Sequence, residues 1–172
     1  MSKDAAIYLV PYSPNWPDKF EEEKKLIQEA IGPWVTGGIN HVGSTAIPGL
    51  SAKPIIDIMV GVNSLEETKP CIELLTKINY MYYPYRPESM HWFLKPTPEH
   101  RTHHLYLVPV SDSQYQARIA FRDYLRIHRE EREEYEKLKT KLAAKHSNDR
   151  EAYTLAKEDF IKNIVAKALG QI

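Results

Sequence analysis

The residue types best suited to chemistry lie close together, in residues 41–60 of the sequence. This stretch holds a Gly43-Ser44 turn, then Lys53, and then a single acid, Asp57, inside the apolar run 55–60. A Gly-Ser turn presents backbone N–H groups and a hydroxyl to phosphate, and a lysine adds positive charge. A carboxylate is a hard oxygen ligand for Mg²⁺. The stretch therefore predicts a phosphate site in which Gly43, Ser44 and Lys53 bind the ligand and Asp57 binds Mg²⁺, or alternatively Mn²⁺.

Asp57 has an alternative interpretation as a capping residue or a salt-bridge partner. A carboxylate in the middle of an apolar strand is costly to bury without a partner. That cost favours a functional role for Asp57 over a purely structural one.

Composition limits the class of protein. The chain has 172 residues, of which 42% are hydrophobic and 27% are charged, so a single folded domain is expected. The formal net charge is zero, which gives no support to a nucleic-acid or membrane partner. No apolar run is long enough for a membrane span and the N-terminus does not resemble a signal peptide. With Cys71 as the sole cysteine, a cytoplasmic location is expected, and the oligomeric state stays open.

Apolar periodicity and turn residues predict an α+β fold. The front of the chain, residues 1–112, should form a mixed sheet with flanking helices, and residues 113–172 a helical tail packed on it within the same domain. Residues 5–12 are expected to form a short strand or an extended arm, and residues 34–38 a loop. Strands are predicted at residues 39–43, 55–60, 80–85, 91–95 and 104–110. One helix is predicted to open within residues 13–17 and to end at about 31, and another to run from Ser64 or Thr68 to 78. Further helices are predicted at 114–129, 130–145 and 148–169, the last capped by Asn148.

Four segments together resemble the GrpB family, which is assigned to the nucleotidyltransferase superfamily and also occurs as a domain appended to some bacterial dephospho-CoA kinases. The segments are residues 41–60, Tyr12-Ser13-Pro14-Asn15-Trp16-Pro17, Arg101-Thr102-His103-His104 and Phe121-Arg122-Asp123-Tyr124-Leu125-Arg126. The resemblance implies a polymerase-β-like nucleotidyltransferase fold. It further implies Mg²⁺-dependent transfer of a nucleotidyl group from a nucleoside triphosphate to a small acceptor, which it does not identify.

The sequence departs from the superfamily pattern at the metal site. That pattern places two acids at alternate positions of one strand, where they share a face and hold Mg²⁺. Asp57 matches the first position, but Met59 stands at the second and cannot bind a hard cation. The strand from His104 supplies no third acid and has Tyr106 where relatives tend to have histidine. The alternative is therefore a catalytically inactive module that binds a nucleotide or another phosphorylated ligand.

Histidines are the next candidates. His104 is predicted to act as a metal ligand or proton carrier, although a sheet histidine bonded to a neighbour is equally consistent with the sequence. His41 is interpreted as a packed or turn-stabilising residue. His103 alternates with His104 and should face the opposite side, towards solvent.

Cations in the second half of the chain complete the predicted site. Arg118, Arg122 and Arg126 share a helix face at a spacing of four. Arg122 is predicted to act with Arg101 in neutralising developing negative charge, whereas Arg118 and Arg126 fit a solvated face equally well.

Two lysines interrupt apolar stripes of the tail. Lys139 and Lys157 are predicted to bury their stems and to direct their ammonium groups to one anionic ligand, or else to bulk water. Trp16, Trp34 and Trp92 are expected in the core or its rim, with stacking of Trp92 and Tyr106 on a base as the alternative.

Overall fold

The computed structural model describes residues 6–172, so Ala5 and the residues before it lie outside the description. The strands are β1 (Val35–Val42), β2 (Ile56–Val62), β3 (Met81–Tyr83), β4 (His91–Pro96) and β5 (Arg101–Pro109). The helices are α1 (Trp16–Ile31), α2 (Lys69–Thr76), α3 (Ser113–Ile127), α4 (Arg129–Lys145), α5 (Arg150–Ala156) and α6 (Glu158–Ala168). The predicted α+β class, with a mixed sheet, flanking helices and a helical C-terminal segment, is confirmed.

One sheet carries all five described strands, in the order β1-β2-β5-β4-β3. β2 runs parallel to β5, and the other neighbouring strands are antiparallel. The register places Asp57 beside Val42 of β1 and beside His104 of β5. The acid of the central run and the predicted second polar group are therefore direct neighbours across two strands.

The two sides of the sheet have different coverings. α1 and α2 pack on one side, where the core includes Ile27, Ile58 and Leu105. The helical tail packs on the loop after β1 through a second apolar cluster that includes Ile47, Leu50 and Tyr135. Among the described residues, no helix combines the length and apolar character that crossing a membrane requires.

Three predicted boundaries were wrong. Residues 35–38 belong to β1, since Val35 pairs with Val62 and the Tyr115 hydroxyl donates to the Gly37 carbonyl at 2.6 Å. Tertiary contacts thus outweigh the low strand propensity of that segment. The last predicted helix is two helices, α5 and α6, that meet at Lys157. Its cap is Asp149, whose carboxylate accepts from the Ala152 N–H at 3.0 Å, and not Asn148.

A buried charge network fixes α1 to the sheet. Glu23 is 5% exposed and forms an ion pair with Lys95, and the Tyr80 hydroxyl donates to its Oε1 at 2.7 Å. His103 Nε2 lies 3.6 Å from the other carboxylate oxygen. His103 is therefore on the side of the sheet opposite His104, as predicted, but it faces Glu23 and not solvent. Burial lowers the pKa of His103 to about 4, although Glu23 opposes this.

We expect Glu23→Gln to lower the free energy of unfolding by about 2 kcal/mol, because the Lys95 ammonium loses its charged partner in a buried position. Glu22→Gln, on the exposed side of the same helix turn, is the control and should change stability little. Urea denaturation of both variants measures the difference. Equal stability of the two variants would show that the network contributes nothing.

Candidate functional site

The Gly43-Ser44 turn lies against Asp57. Gly43 follows β1 with φ of 74°, a left-handed conformation that L side chains rarely adopt. A Cβ atom added to Gly43 would lie 2.5 Å from Asp57 Oδ2. The short helical turn Ser44–Ala46 comes next, and Ser44 lies beside the Tyr135 hydroxyl. Only glycine allows the turn to approach the carboxylate this closely.

Asp57 is held by two neighbours on β5. His104 Nδ1 lies 3.2 Å from Oδ1, and the Tyr106 hydroxyl donates to the same oxygen at 3.1 Å. The Asp57 side chain keeps 25% exposure, whereas His104 is buried. The other imidazole nitrogen, Nε2, is buried and has no hydrogen-bond partner among the described residues.

Electrostatics assign the charge states of this pair. Burial opposes ionisation of Asp57, but hydrogen bonds from His104 and Tyr106 and the charge of Lys53 outweigh it and hold the pKa of the carboxyl below its usual range. Burial lowers the pKa of His104 more than Asp57 raises it. Asp57 is thus anionic and His104 neutral near pH 7. With Nδ1–H donating to Asp57, Nε2 carries the lone pair.

Tyr106 connects the carboxylate to further groups. The Arg118 guanidinium stacks 4.3 Å from the Tyr106 ring centroid, and its Nε is buried without a partner among the described residues. Trp92 lies beside the Tyr106 hydroxyl and packs edge-on against His104, with 5.2 Å between the ring centroids. Arg101 stacks over Trp92 at 5.7 Å and donates from Nε to the Pro98 carbonyl at 3.1 Å. Burial raises the pKa of Tyr106, so the hydroxyl keeps its proton.

Three lysines gather on the tail side of Asp57, and we call Lys53, Lys139 and Lys157 the lysine cluster. The ammonium groups of Lys157 and Lys53 lie 4.1 Å and 5.4 Å from the centroid of the Tyr153 ring. Lys139 is 1% exposed, donates to the Ser51 carbonyl, and lies 5.0 Å from the Tyr135 ring centroid. Residues that are far apart in sequence are thereby brought together beside the turn.

Burial and mutual repulsion disfavour the charged form of the lysines in this cluster. Burial lowers the pKa of Lys157 to about 7, and the charges of Lys53 and Lys139 contribute in the same direction. Burial lowers the pKa of Lys139 to about 8, with Lys53 contributing and Glu136 opposing. A bound anion would favour the charged form of these lysines, because it would offset their mutual repulsion.

The donor set fits a magnesium centre poorly. Met59, at the second acid position, is fully buried in an apolar cluster with Val42, Met90 and Val108. The described residues contain no group of three or more His, Cys, Asp and Glu side chains arranged to hold a metal ion. Asp57 Oδ1 already accepts from Tyr106 and faces His104, and Asp57 is the one carboxylate that residues 6–172 place at this position. Binding of Mg²⁺ or Mn²⁺ by Asp57 and His104 stays a prediction.

The structure separates the predicted arginines. Arg122 donates from Nη1 to the His41 carbonyl at 3.1 Å and from Nε to Asp123 at 2.8 Å. It therefore lies behind the Gly43-Ser44 turn and contacts neither Asp57 nor the lysine cluster. Of the helix row, Arg118 is the member next to the Asp57–Tyr106 pair. His41 is packed as expected, stacked on Phe20 at 4.9 Å with its Nε2 2.9 Å from the Thr45 hydroxyl.

Sequence reasoning missed three contributors. Tyr106 was considered for stacking, whereas it hydrogen-bonds Asp57, and this contact becomes visible only once the β2–β5 register is known. Tyr153 and Tyr135 looked like ordinary core residues of the tail. The signal that could have found them is their spacing of four from Lys157 and Lys139, which places each ring and lysine on one helix face.

The comparisons with known proteins agree with the fold described above and identify its family. The family profile described as GrpB protein matches residues 6–167. A crystal structure of the conserved protein GrpB from Enterococcus faecalis superposes with a TM-score of 0.86 at 31% identity, and covers 95% of this chain and 98% of that one.

Two relatives show how far the similarity extends. The glutamate-rich protein GrpB of Alkalihalophilus pseudofirmus is 38% identical over 164 residues, which are 92% of this chain and 94% of that protein. A dephospho-CoA kinase of Mycolicibacterium paratuberculosis is 35% identical over 79 residues, which are 44% of this chain and 19% of the kinase. The predicted partial similarity to dephospho-CoA kinases is therefore confirmed.

Proposed function

This chain belongs to the GrpB family, and we propose that it binds a nucleotide or another phosphorylated small molecule at the lysine cluster. One observation carries the proposal: Lys53, Lys139 and Lys157 converge beside the Gly43-Ser44 turn, and burial, together with the charges of neighbouring lysines, lowers the pKa of Lys139 and of Lys157. Phosphate oxygens would supply that charge, and the N–H groups of the turn would supply fixed donors.

The charge balance supports an anionic ligand. Asp57 contributes one negative charge beside Lys53 and Lys157, and Glu136, which opposes the lowering of the Lys139 pKa, also accepts from the Ser51 N–H at 2.9 Å. A bound anion would offset the lysine–lysine repulsion that contributes to the lowered pKa values of Lys139 and Lys157, which suits a phosphate better than a neutral metabolite. The partially exposed Asp57 side chain marks where a ligand reaches this site from solvent.

Nucleotidyl transfer to a small acceptor is the second candidate function. It is favoured by the neutral His104, whose lone pair on Nε2 is uncommitted and whose orientation Asp57 fixes. Because Nε2 is itself buried, the group that would take the proton from an attacking hydroxyl as a general base is the partially exposed Asp57 carboxylate, which His104 orients. The fit of Met59 into the apolar cluster argues against a two-metal route, so the transfer is proposed only as an extension of ligand binding.

Calorimetric titration with ATP tests the binding proposal. We expect Lys157→Gln to weaken binding by roughly tenfold or more, the equivalent of one charge-assisted contact. Lys162→Gln, in the helix α6 that begins just after Lys157, has 74% of its side chain exposed; it is the matched control and should bind as the wild type does. Equal affinity of the two variants would overturn the lysine site.

Repeating the titration with Mg²⁺ and with Mn²⁺ tests the metal prediction separately. Tighter ATP binding with metal that is lost in Asp57→Asn would support a cation at Asp57. Metal-independent binding would leave the ligand proposal intact and count against the cofactor.

A further inference from the structure

A cavity of about 270 Å³, separate from the lysine cluster, lies behind the Gly43-Ser44 turn at the free edge of β1. α1 supplies the Phe20 wall and α3 supplies Arg122 and Arg126, and Tyr12 and Pro48 complete the apolar lining. Neither Asp57 nor any member of the lysine cluster lines it. The cavity collects two features that the proposed function does not use, the Tyr12–Pro17 motif and the arginine pair of α3.

Backbone contacts fix the two guanidinium groups at this cavity. Arg122 donates to the His41 carbonyl at 3.1 Å, and Arg126 Nε donates to the Ala46 carbonyl at 2.9 Å. Both arginines are thus held in place by their Nε and Nη1 groups. Within residues 6–172, the Nη2 group of each makes no hydrogen bond, and these donors stay available to a ligand.

The carboxylates near the arginine pair are exposed to solvent. Asp123 is shared, at 2.8 Å from Arg122 and 3.9 Å from Arg126, and its side chain is half exposed. Glu21 is the only acid in the lining and is exposed. His41, also in the lining, is neutral because burial lowers its pKa to about 4. Two guanidinium groups therefore face one space in which both nearby carboxylates, Asp123 and Glu21, are screened by solvent.

We propose that this cavity binds a small organic acid, with its carboxylate or phosphate head on Arg122 and Arg126 and its apolar body between Tyr12, Phe20 and Pro48. The planar guanidinium fork matches both types of oxyanion. The volume is slightly below the range of drug-sized pockets, roughly 300–1,000 Å³, which suits a compact metabolite. This site does not rest on the proposed function, because it shares no side chain with the lysine cluster.

Calorimetric titrations with benzoate and with phenyl phosphate test the proposal and show which head group binds. Benzyl alcohol, which has the same ring but no charge, is the control ligand. We expect at least one anion to bind the wild type, benzyl alcohol to bind much more weakly, and Arg126→Gln to weaken anion binding by roughly tenfold. Arg129→Gln, with 81% of its side chain exposed on α4, is the matched control and should keep wild-type affinity.

Lys157→Gln separates this site from the lysine cluster. It should bind benzoate as the wild type does, whereas any phenyl phosphate that binds at the lysine cluster should be lost. Loss of benzoate binding in Lys157→Gln but not in Arg126→Gln would place benzoate at the lysine cluster and overturn the second site. Failure of both anions to bind the wild type would overturn it as well. Arg126→Lys keeps the charge but not the planar guanidinium fork, and it serves as a control for a folding defect. Its affinity for the anion should lie between those of the wild type and Arg126→Gln.

Discussion

Gly43→Ala should be among the most damaging single substitutions at the site. The new methyl group would meet Asp57 Oδ2 at 2.5 Å, and the residue would have to hold a φ of 74°. We expect the free energy of unfolding to fall by about 3 kcal/mol, from about 1–2 kcal/mol of left-handed strain and at least about 1 kcal/mol of overpacking. Because relief of the clash moves either the turn or Asp57, ATP binding should also be lost.

Gly49→Ala provides the control for backbone strain alone. Gly49 has a φ of 91° in the same loop, but its nearest neighbour to an added Cβ, Arg132 Nε, is 3.8 Å away. It should lose only about 1 kcal/mol and retain ATP binding. Urea denaturation and calorimetry of the two variants measure both effects. Equal losses of stability would mean that the contact between the turn and Asp57 does not constrain the site.

The central part of the site was predictable because its signal is local. The Gly43-Ser44 turn and the acid at Asp57 lie within one β-turn-β unit, so residue type and short spacing were sufficient. His104 could be named as the second polar group because it begins a strand with a clear apolar pattern. What the sequence could not give is that β2 and β5 are parallel neighbours with Asp57 opposite His104, because register depends on contacts across some 47 residues of chain.

The arginines of α3 show the limit of reasoning from helix periodicity. A spacing of four places Arg118, Arg122 and Arg126 on one face, but a helix that crosses the edge of a sheet meets different surroundings along its length. Arg118 lies over Tyr106, whereas Arg122 and Arg126 brace the backbone on the other side of the turn. Helix spacing predicts a shared face and does not predict a shared ligand.

Met59 connects the sequence departure to its physical consequence. In the superfamily pattern this position carries an acid, but here the side chain is fully buried beside Val42 and Val108. A carboxylate there would lose its hydration without gaining a partner. An apolar residue at position 59 is consistent with the proposed lysine site, because ammonium groups that neutralise a phosphate reduce the need for a metal ion.

The affinity for sulfate should fall steeply with rising pH if the lysine cluster is the anion site. Sulfate stays dianionic between pH 6 and 9, so its own titration does not contribute. A bound anion raises the pKa of a neighbouring lysine, so binding takes up protons and is favoured at lower pH. With pKa values of about 7 for Lys157 and about 8 for Lys139, raising the pH to about 9 should cost up to about a hundredfold from the first and about tenfold from the second.

Lys157→Arg tests the origin of this pH dependence, because a guanidinium stays charged throughout the range. The variant should bind sulfate as tightly as the wild type does at pH 6. Between about pH 7 and 9 its affinity should fall much less than that of the wild type. In sulfate-free buffer the same lysines act on folding: the unfolded chain binds more protons than the native one, so stability should rise between about pH 7 and 10. A sulfate affinity that is independent of pH in the wild type would mean that these lysines are fully charged without a ligand. The lowered pKa values that support the anion site would then be wrong.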